Sequence, residues 1–166
     1  MSDTTPIDDT VFDAARRGDA DQLRAALDGG VAVDTRNEAG DSLLMLAAYH
    51  CREAAVDLLL GHGAAPDLAN AKGQRPLAGV CWKGSVPIAR ALLEHGADVE
   101  AGGVGMTPLM LAAMCGHTEV VRLLLEHGAN PGARSGNGHT ARDLAANIKA
   151  APVIALLEEA IAKRAG

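Results

Sequence analysis

Two short apolar stretches with a helical spacing lie close together in the first half of the chain. Residues 43–47 (LLMLA) predict one short helix, and residues 55–60 (AVDLLL) predict a second helix with one apolar face. Isolated helices of fewer than about 12–15 residues are only marginally stable in water. We therefore expect this helix pair to bury its apolar face against another pair of the same kind.

The same two stretches recur along the chain, most clearly in residues 107–130 (TPLMLAAMCGHTEVVRLLLEHGAN). Every copy contains a pair of small or medium-sized apolar residues, spaced by 33, 33 and 32 residues over the first four copies. The pairs are Ala14-Ala15, Ala47-Ala48, Val80-Cys81, Ala112-Ala113 and, opening a fifth copy, Ala145-Ala146. Because each copy can bury its apolar face only against its neighbours, the period predicts an elongated stack whose contacts are local in sequence.

An S/T-x-L-x-L-A-A opening, an L-L-L-x-H-G-A close and a period of about 33 residues resemble the ankyrin repeat, and the resemblance covers residues 8 to about 162. It implies an all-α solenoid of about five stacked helix-turn-helix repeats with β-hairpin-like fingers. We expect residues 1–7 to be a flexible tail and residues 8–166 to form one ankyrin-repeat domain. Its predicted copies are an N-terminal cap (8–40), three internal repeats (41–73, 74–105 and 106–138) and a C-terminal cap (139–166).

Polar residues and glycines between the apolar stretches predict where helices and turns begin. Ser42, Thr107 and Thr140 stand where a side chain can cap the first helix of a copy, whereas Arg75, at the same place in the third copy, cannot. The third copy also carries Gly79 where the other internal copies have leucine. Trp82, three residues further on, either fills this gap or stands exposed on the surface, and the sequence leaves both alternatives open.

Composition and charge restrict the classes of partner. The formal net charge is -6, and the Lys and Arg residues are scattered, so we expect no nucleic-acid partner, which would require clustered cations. The chain has neither an apolar run of about 18 residues nor a start typical of a signal peptide. We therefore expect a cytoplasmic protein with no membrane partner, and we also expect a monomer.

The histidines and cysteines offer candidates for chemistry. His62, His95 and His127 share one repeat position, but stacked copies lie roughly 8–10 Å apart, whereas zinc ligands lie within about 2.1 Å of the metal. We interpret these histidines as contacts to the carbonyls at helix ends and expect no metal and no cofactor. Cys115 and His117 could act as a nucleophile and base, although no third group is placed to orient the histidine, so no catalytic residue is assigned.

The residues that directly follow the small pair vary from copy to copy while the framework repeats. In proteins that resemble this one, these positions and the finger tips line the concave binding face. The chain's single Tyr and single Trp stand here in adjacent copies, and aromatic residues lead among interface hot spots. The predicted helix-end contacts are Arg16, Tyr49, His50, Trp82, Lys83, Met114, Cys115 and Asn147. The predicted finger contacts are Glu38, Asp41, Lys72, Gln74, Val104, Met106, Asn137 and His139.

The sequence thus favours a protein-interaction module without catalytic activity that binds an unidentified partner protein through the concave face and fingers. Glu38 and Asp41 would suit a partner with a basic patch. One alternative is an inhibitor, antitoxin or immunity-type protein that blocks one enzyme with the same face. A third interpretation is a hydrolase in which Cys115 or a histidine is the working group.

Overall fold

The computed structural model describes residues 9–103 and 105–165, and within these ranges it contains ten α-helices. They are α1 (Asp9–Arg17), α2 (Ala20–Asp28), α3 (Leu43–Tyr49), α4 (Glu53–Gly61), α5 (Pro76–Lys83), α6 (Val86–Glu94), α7 (Pro108–Met114), α8 (Thr118–Glu126), α9 (Ala141–Asn147) and α10 (Ala151–Ala165). The predicted tail, residues 1–7, lies outside the described residues. No helix in the described ranges combines the length and the apolar character needed to cross a bilayer.

The helices form two layers. The odd-numbered helices stack on one another in chain order, and the even-numbered helices form a second stack beside them. Each odd-numbered helix also packs against the even-numbered helix that follows it, so the copies are antiparallel helix pairs laid side by side. This architecture confirms the predicted all-α solenoid, in which each copy contacts its neighbours along the chain.

The pair of small residues in each copy forms the centre of the core. In the first four copies both members of the pair are completely buried, including Val80 and Cys81, which replace the alanines in the third copy. In the fifth copy Ala145 is buried but Ala146 is exposed, since no described helix stacks on its outer side. Small side chains at these positions allow the odd-numbered helices to approach closely.

The predicted helix starts are confirmed. The hydroxyl oxygens of Ser42, Thr107 and Thr140 accept hydrogen bonds from the backbone N–H three residues further on, at 3.1, 3.2 and 3.2 Å. At Thr140 the bond is reciprocal, because the Asp143 carboxylate accepts from the Thr140 N–H and lies at hydrogen-bond distance from its hydroxyl, and these contacts lower the pKa of Asp143. Arg75 makes no such cap, as expected.

The histidine ladder also has the predicted structural role. The Nδ1 atoms of His62, His95 and His127 lie 2.8, 2.8 and 2.9 Å from the carbonyl oxygen four residues earlier. These contacts satisfy carbonyls at the C-terminal ends of α4, α6 and α8. Among the described residues no group of three or more His, Cys, Asp or Glu side chains is arranged to hold a metal ion.

Short hydrogen-bonded turns, rather than extended strands, form the fingers among the described residues. Their tips contain glycines with positive φ, for example Gly40 at 78° and Gly138 at 82°. The finger after the third copy is tighter, because the Gly103 and Met106 backbones bond each other at 3.2 Å in both directions. Gly102 is required there, since a Cβ atom would lie 1.7 Å from the Met106 carbonyl oxygen.

A row of three carboxylates links the bases of the first three fingers to the next copy, a feature that the sequence analysis did not anticipate. Each carboxylate accepts a hydrogen bond from a backbone N–H that is 30 or 31 residues further along the chain. The contacts are Ala65 N to Asp34 Oδ1 (2.9 Å), Asp98 N to Asp67 Oδ2 (3.0 Å) and Asn130 N to Glu100 Oε1 (2.6 Å). They add directional bonds between copies to the non-directional packing of the helices.

Replacing Ala113 with leucine should overpack the stack and lower the free energy of unfolding by about 1–3 kcal/mol. The same replacement at Ala146, the equivalent position on the exposed side of α9, should change it by less than about 0.5 kcal/mol. Urea unfolding followed by circular dichroism measures both. An equal loss in the two variants would contradict the proposed role of the buried pair.

Cys51 is one of two non-glycine residues with positive φ among the described residues, at 54°, and glycine occupies its position in three other copies. This left-handed conformation destabilises an L-residue by about 1–2 kcal/mol. Glycine avoids that strain, but its greater conformational freedom in the unfolded chain offsets part of the gain. We expect Cys51→Gly to stabilise the protein by up to about 1 kcal/mol in thermal or urea unfolding. Cys51→Ala removes the sulfur but keeps Cβ, so an equal gain in that variant would exclude the backbone explanation.

Candidate partner-binding face

The single tyrosine and the single tryptophan stand at the C-terminal ends of α3 and α5. Each follows the buried pair directly, so the turn of the helix carries its side chain away from the core. Tyr49 is 46% exposed and Trp82 is 48% exposed. Two large aromatic side chains are therefore available to a partner on adjacent copies.

Tyr49 and Trp82 line one hollow of about 230 Å³ between the first helices and the fingers. The remaining lining comes from α5, α7 and two finger segments, and most of it is apolar. These residues are Gln74, Ala78, Gly79, Gly103, Met106 and Leu111. The hollow is therefore an apolar depression flanked by two half-exposed rings, a setting typical of an interface anchor.

The gap left by Gly79 is covered by Tyr49 and not by Trp82. A Cβ atom on Gly79 would lie 3.3 Å from Tyr49 Cδ2, and no atom of the Trp82 side chain lies within 4 Å of it. The alternative in which the indole fills the gap is therefore wrong. The tyrosine of the preceding copy reaches the glycine because α3 and α5 are neighbours in the stack, and this leaves the indole exposed.

One positive charge lies over the aromatic ring of Tyr49. Lys83 Nζ lies 4.5 Å from the centroid of this ring, within the range of a cation–π contact. The His50 ring packs edge-on against the same ring at 5.6 Å. Partial burial lowers the pKa of His50, and the positive charges of Arg52, Arg16 and Lys83 lower it further.

Two arginines complete this cluster. Arg52 Nε donates to the Arg16 carbonyl oxygen at 2.9 Å, and Arg16 Nη1 pairs with Asp13 Oδ1 at 2.6 Å. In the part of the chain that the structure describes, neither Arg52 nor Lys83 has an ion-pair partner. We call Arg16, Arg52 and Lys83 the cation cluster.

The other predicted helix-end residues lie apart from the hollow. Met114 and Cys115 are partly buried at the end of α7, and Asn147 is exposed at the end of α9. They continue the row of helix ends toward the C-terminus but do not line the hollow between Tyr49 and Trp82.

Four of the predicted finger residues line a hollow. Asp41, Lys72 and Gln74 line a second hollow of about 180 Å³ that also contacts Tyr49, and Gln74 and Met106 line the first. The amide of Asn70 donates to Asp41 Oδ1 at 2.8 Å and to Gln74 Oε1 at 3.1 Å. Those predicted finger residues that are exposed but line neither hollow are Glu38, Asn137 and His139. Val104 lies outside the described residues.

Comparison with protein families agrees with this geometry. A family model described as "Ankyrin repeats (3 copies)" matches residues 11–102, and one described as "Ankyrin repeat" matches residues 104–136. The chain belongs to the ankyrin-repeat family. The resemblance predicted from the sequence is thus confirmed. Ankyrin repeats are in general protein-interaction modules and are typically not catalytic.

Two curated relatives are similar to parts of this ankyrin-repeat chain. An ankyrin repeat protein of Pseudomonas aeruginosa is 50% identical over 40 residues, which are 24% of this chain and 23% of the relative. An ankyrin repeat domain-containing protein of Stachybotrys chartarum is 32% identical over 101 residues, which are 60% of this chain and 5% of the relative. The aligned parts thus span less than a quarter of either relative's length.

Several residues of the ankyrin-repeat face were missed by the sequence analysis. Leu111 and Asn70 were not among the predicted contacts, yet both line a hollow. Leu111 occupies in its copy the position of Gly79, and the missing side chain at Gly79 leaves part of Leu111 open to the hollow. The glycine at position 79 of the irregular third copy was the sequence signal from which the exposure of Leu111 could have been predicted.

The contacts of Cys115 and His117 favour a structural role for both. His117 Nε2 lies 3.0 Å from the Trp82 carbonyl oxygen, and its ring lies against Gly84, where a Cβ atom would be 2.6 Å from Nδ1. Burial raises the pKa of the Cys115 thiol, whereas a nucleophilic cysteine requires a lowered pKa. His117 therefore connects the fourth ankyrin copy to the third, whereas Cys115 caps its own helix, α7.

Replacing Lys83 with glutamine should raise the pKa of His50, because it removes one of the three positive charges that disfavour the protonated ring. A pH titration of the imidazole by NMR measures the change. Lys163→Gln, on α10, should leave this pKa unchanged. A pKa of His50 that is the same in both variants would show that Lys83 does not act on the ring.

Proposed function

We propose that this ankyrin-repeat chain is a non-catalytic module that binds a partner protein through its concave face, formed by the ends of the odd-numbered helices and the fingers. The observation that carries the proposal is the pair of half-exposed aromatic side chains, Tyr49 and Trp82, beside one preformed apolar hollow. Such rigid anchors supply a large part of the binding energy at protein interfaces. The remaining helix-end and finger residues would contribute shape and charge complementarity.

Several properties complete the proposal. The partner is a protein whose identity is open, the chain acts as a monomer in the cytoplasm, and neither nucleic acid nor a membrane surface is the target. The acidic overall charge supports the exclusion of nucleic acid. An inhibitor of one enzyme would use the same face and would be recognised by the identity of the captured partner.

The proposal is tested by affinity purification of the protein from its native cells, with quantitative mass spectrometry of the bound fraction. The double variant Tyr49→Ala/Trp82→Ala should lose the specific partner, because truncating one hot-spot aromatic costs about 2 kcal/mol, or roughly thirtyfold in affinity. Ile161→Ala, which truncates another exposed apolar side chain on α10, should retain it.

Circular dichroism must show that the double variant remains folded, as expected for side chains outside the core. A bound fraction that is identical for the wild type and the folded double variant would overturn the proposal that this face binds the partner.

A further inference from the structure

The cation cluster is anomalous in a chain whose formal net charge is -6. Lys83 Nζ lies directly over the Tyr49 ring, and the electrostatic neighbours that shift the pKa of His50 are all cations. Among the described residues Arg52 and Lys83 lack an ion-pair partner. Positive charge is thus concentrated, and only partly compensated, at one edge of the hollow.

A carboxylate neutralises one member of this cluster, Arg16, whereas Arg52 and Lys83 stay uncompensated among the described residues. Asp13 is engaged with Arg16 at 2.6 Å, and Asp41 accepts a hydrogen bond from Asn70 in the second hollow. Glu38 remains exposed at a finger tip. The surface at the helix ends therefore favours negative charge in a partner, in contrast to the basic patch that Glu38 and Asp41 suggested from sequence.

The hollow beside the cluster is suited to an apolar side chain. Ala78, Gly79, Met106 and Leu111 contribute its lining, and the Trp82 ring stands half exposed at its edge. A partner segment that crosses from the hollow to the helix ends would therefore meet an apolar surface first and positive charge next.

We propose that the ligand of this face is an extended acidic segment of the partner protein, with an apolar side chain between Tyr49 and Trp82 and neighbouring carboxylates paired with Lys83 and Arg52. This inference rests on the proposed function and specifies the chemistry of the partner. Carboxylates at the cluster would gain charge-assisted contacts and would be steered to the face by its local positive potential.

Single-stranded nucleic acid also combines negative charge with groups that stack on aromatic rings. Its phosphates, however, require cations that continue along the groove. Beyond Lys83 the row of helix ends carries Met114, Cys115 and Asn147, none of which is cationic. The short extent of the cluster favours a few carboxylates over a polyphosphate backbone.

The first experiment selects a displayed library of random 12-residue peptides on the purified full chain. We expect the enriched peptides to contain an excess of Asp and Glu next to an apolar residue, relative to the input library. Enrichment of neutral or basic peptides, or of none, would overturn the acidic-segment proposal.

The second experiment titrates the most enriched peptide and follows the fluorescence of Trp82, which is the single tryptophan of the chain. Replacing all Asp and Glu of the peptide with Asn and Gln should weaken binding by about tenfold or more, and raising the salt concentration should weaken it as well. A 12-residue thymidine oligonucleotide should bind more weakly than the acidic peptide; tighter binding would assign the face to nucleic acid.

Variants of the protein complete the test. Lys83→Gln should weaken binding of the acidic peptide by roughly two- to fivefold, and Lys83→Glu should weaken it further. Lys163→Gln should leave the affinity unchanged. An unchanged affinity in both Lys83 variants would overturn the assignment of the carboxylates. If partner capture from cells still depends on Tyr49 and Trp82 in that case, the acidic-segment proposal fails while the proposed function stands.

Discussion

Nine of the ten described helices have only seven to nine residues, and helices of this length are not stable alone in water. Their stability must come from stacking, which brings the small pairs of adjacent copies into close contact. The pairs are therefore completely buried in the first four copies, whereas Ala146, beyond which no described helix stacks, is exposed. This need for a neighbour explains why the framework positions repeat while the residues that follow them are free to vary.

The same stacking creates the binding face. A helix whose inner side is committed to the core must direct the next residues outward, and Tyr49 and Trp82 are consequently half exposed. The irregular third copy adds the hollow, because Gly79 carries no side chain and the tyrosine of the preceding copy moves against it. The missing side chain at Gly79 thus leaves a depression between two aromatic rings.

Hydrogen bonds between copies hold this arrangement in register. The carboxylates of Asp34, Asp67 and Glu100 each accept from the backbone of the next copy, and the His117 ring contacts the Trp82 carbonyl oxygen. Apolar packing alone is non-directional, whereas these bonds restrict sliding and rotation of one copy against the next. The relative positions of Tyr49, Trp82 and the cation cluster depend on that restriction.

The amino-acid sequence by itself predicts the period, the helix pairs, the caps at Ser42, Thr107 and Thr140, and the histidine contacts at helix ends. Each depends on residues within three or four positions of one another, or on a pattern that recurs in every copy. Only the tertiary structure shows three further features: the contact of Tyr49 with Gly79, the carboxylate row, and the position of Lys83 over the Tyr49 ring. They join residues about 30 positions apart through rotamers and helix offsets, which the spacing of apolar residues does not specify but the packing of adjacent copies does.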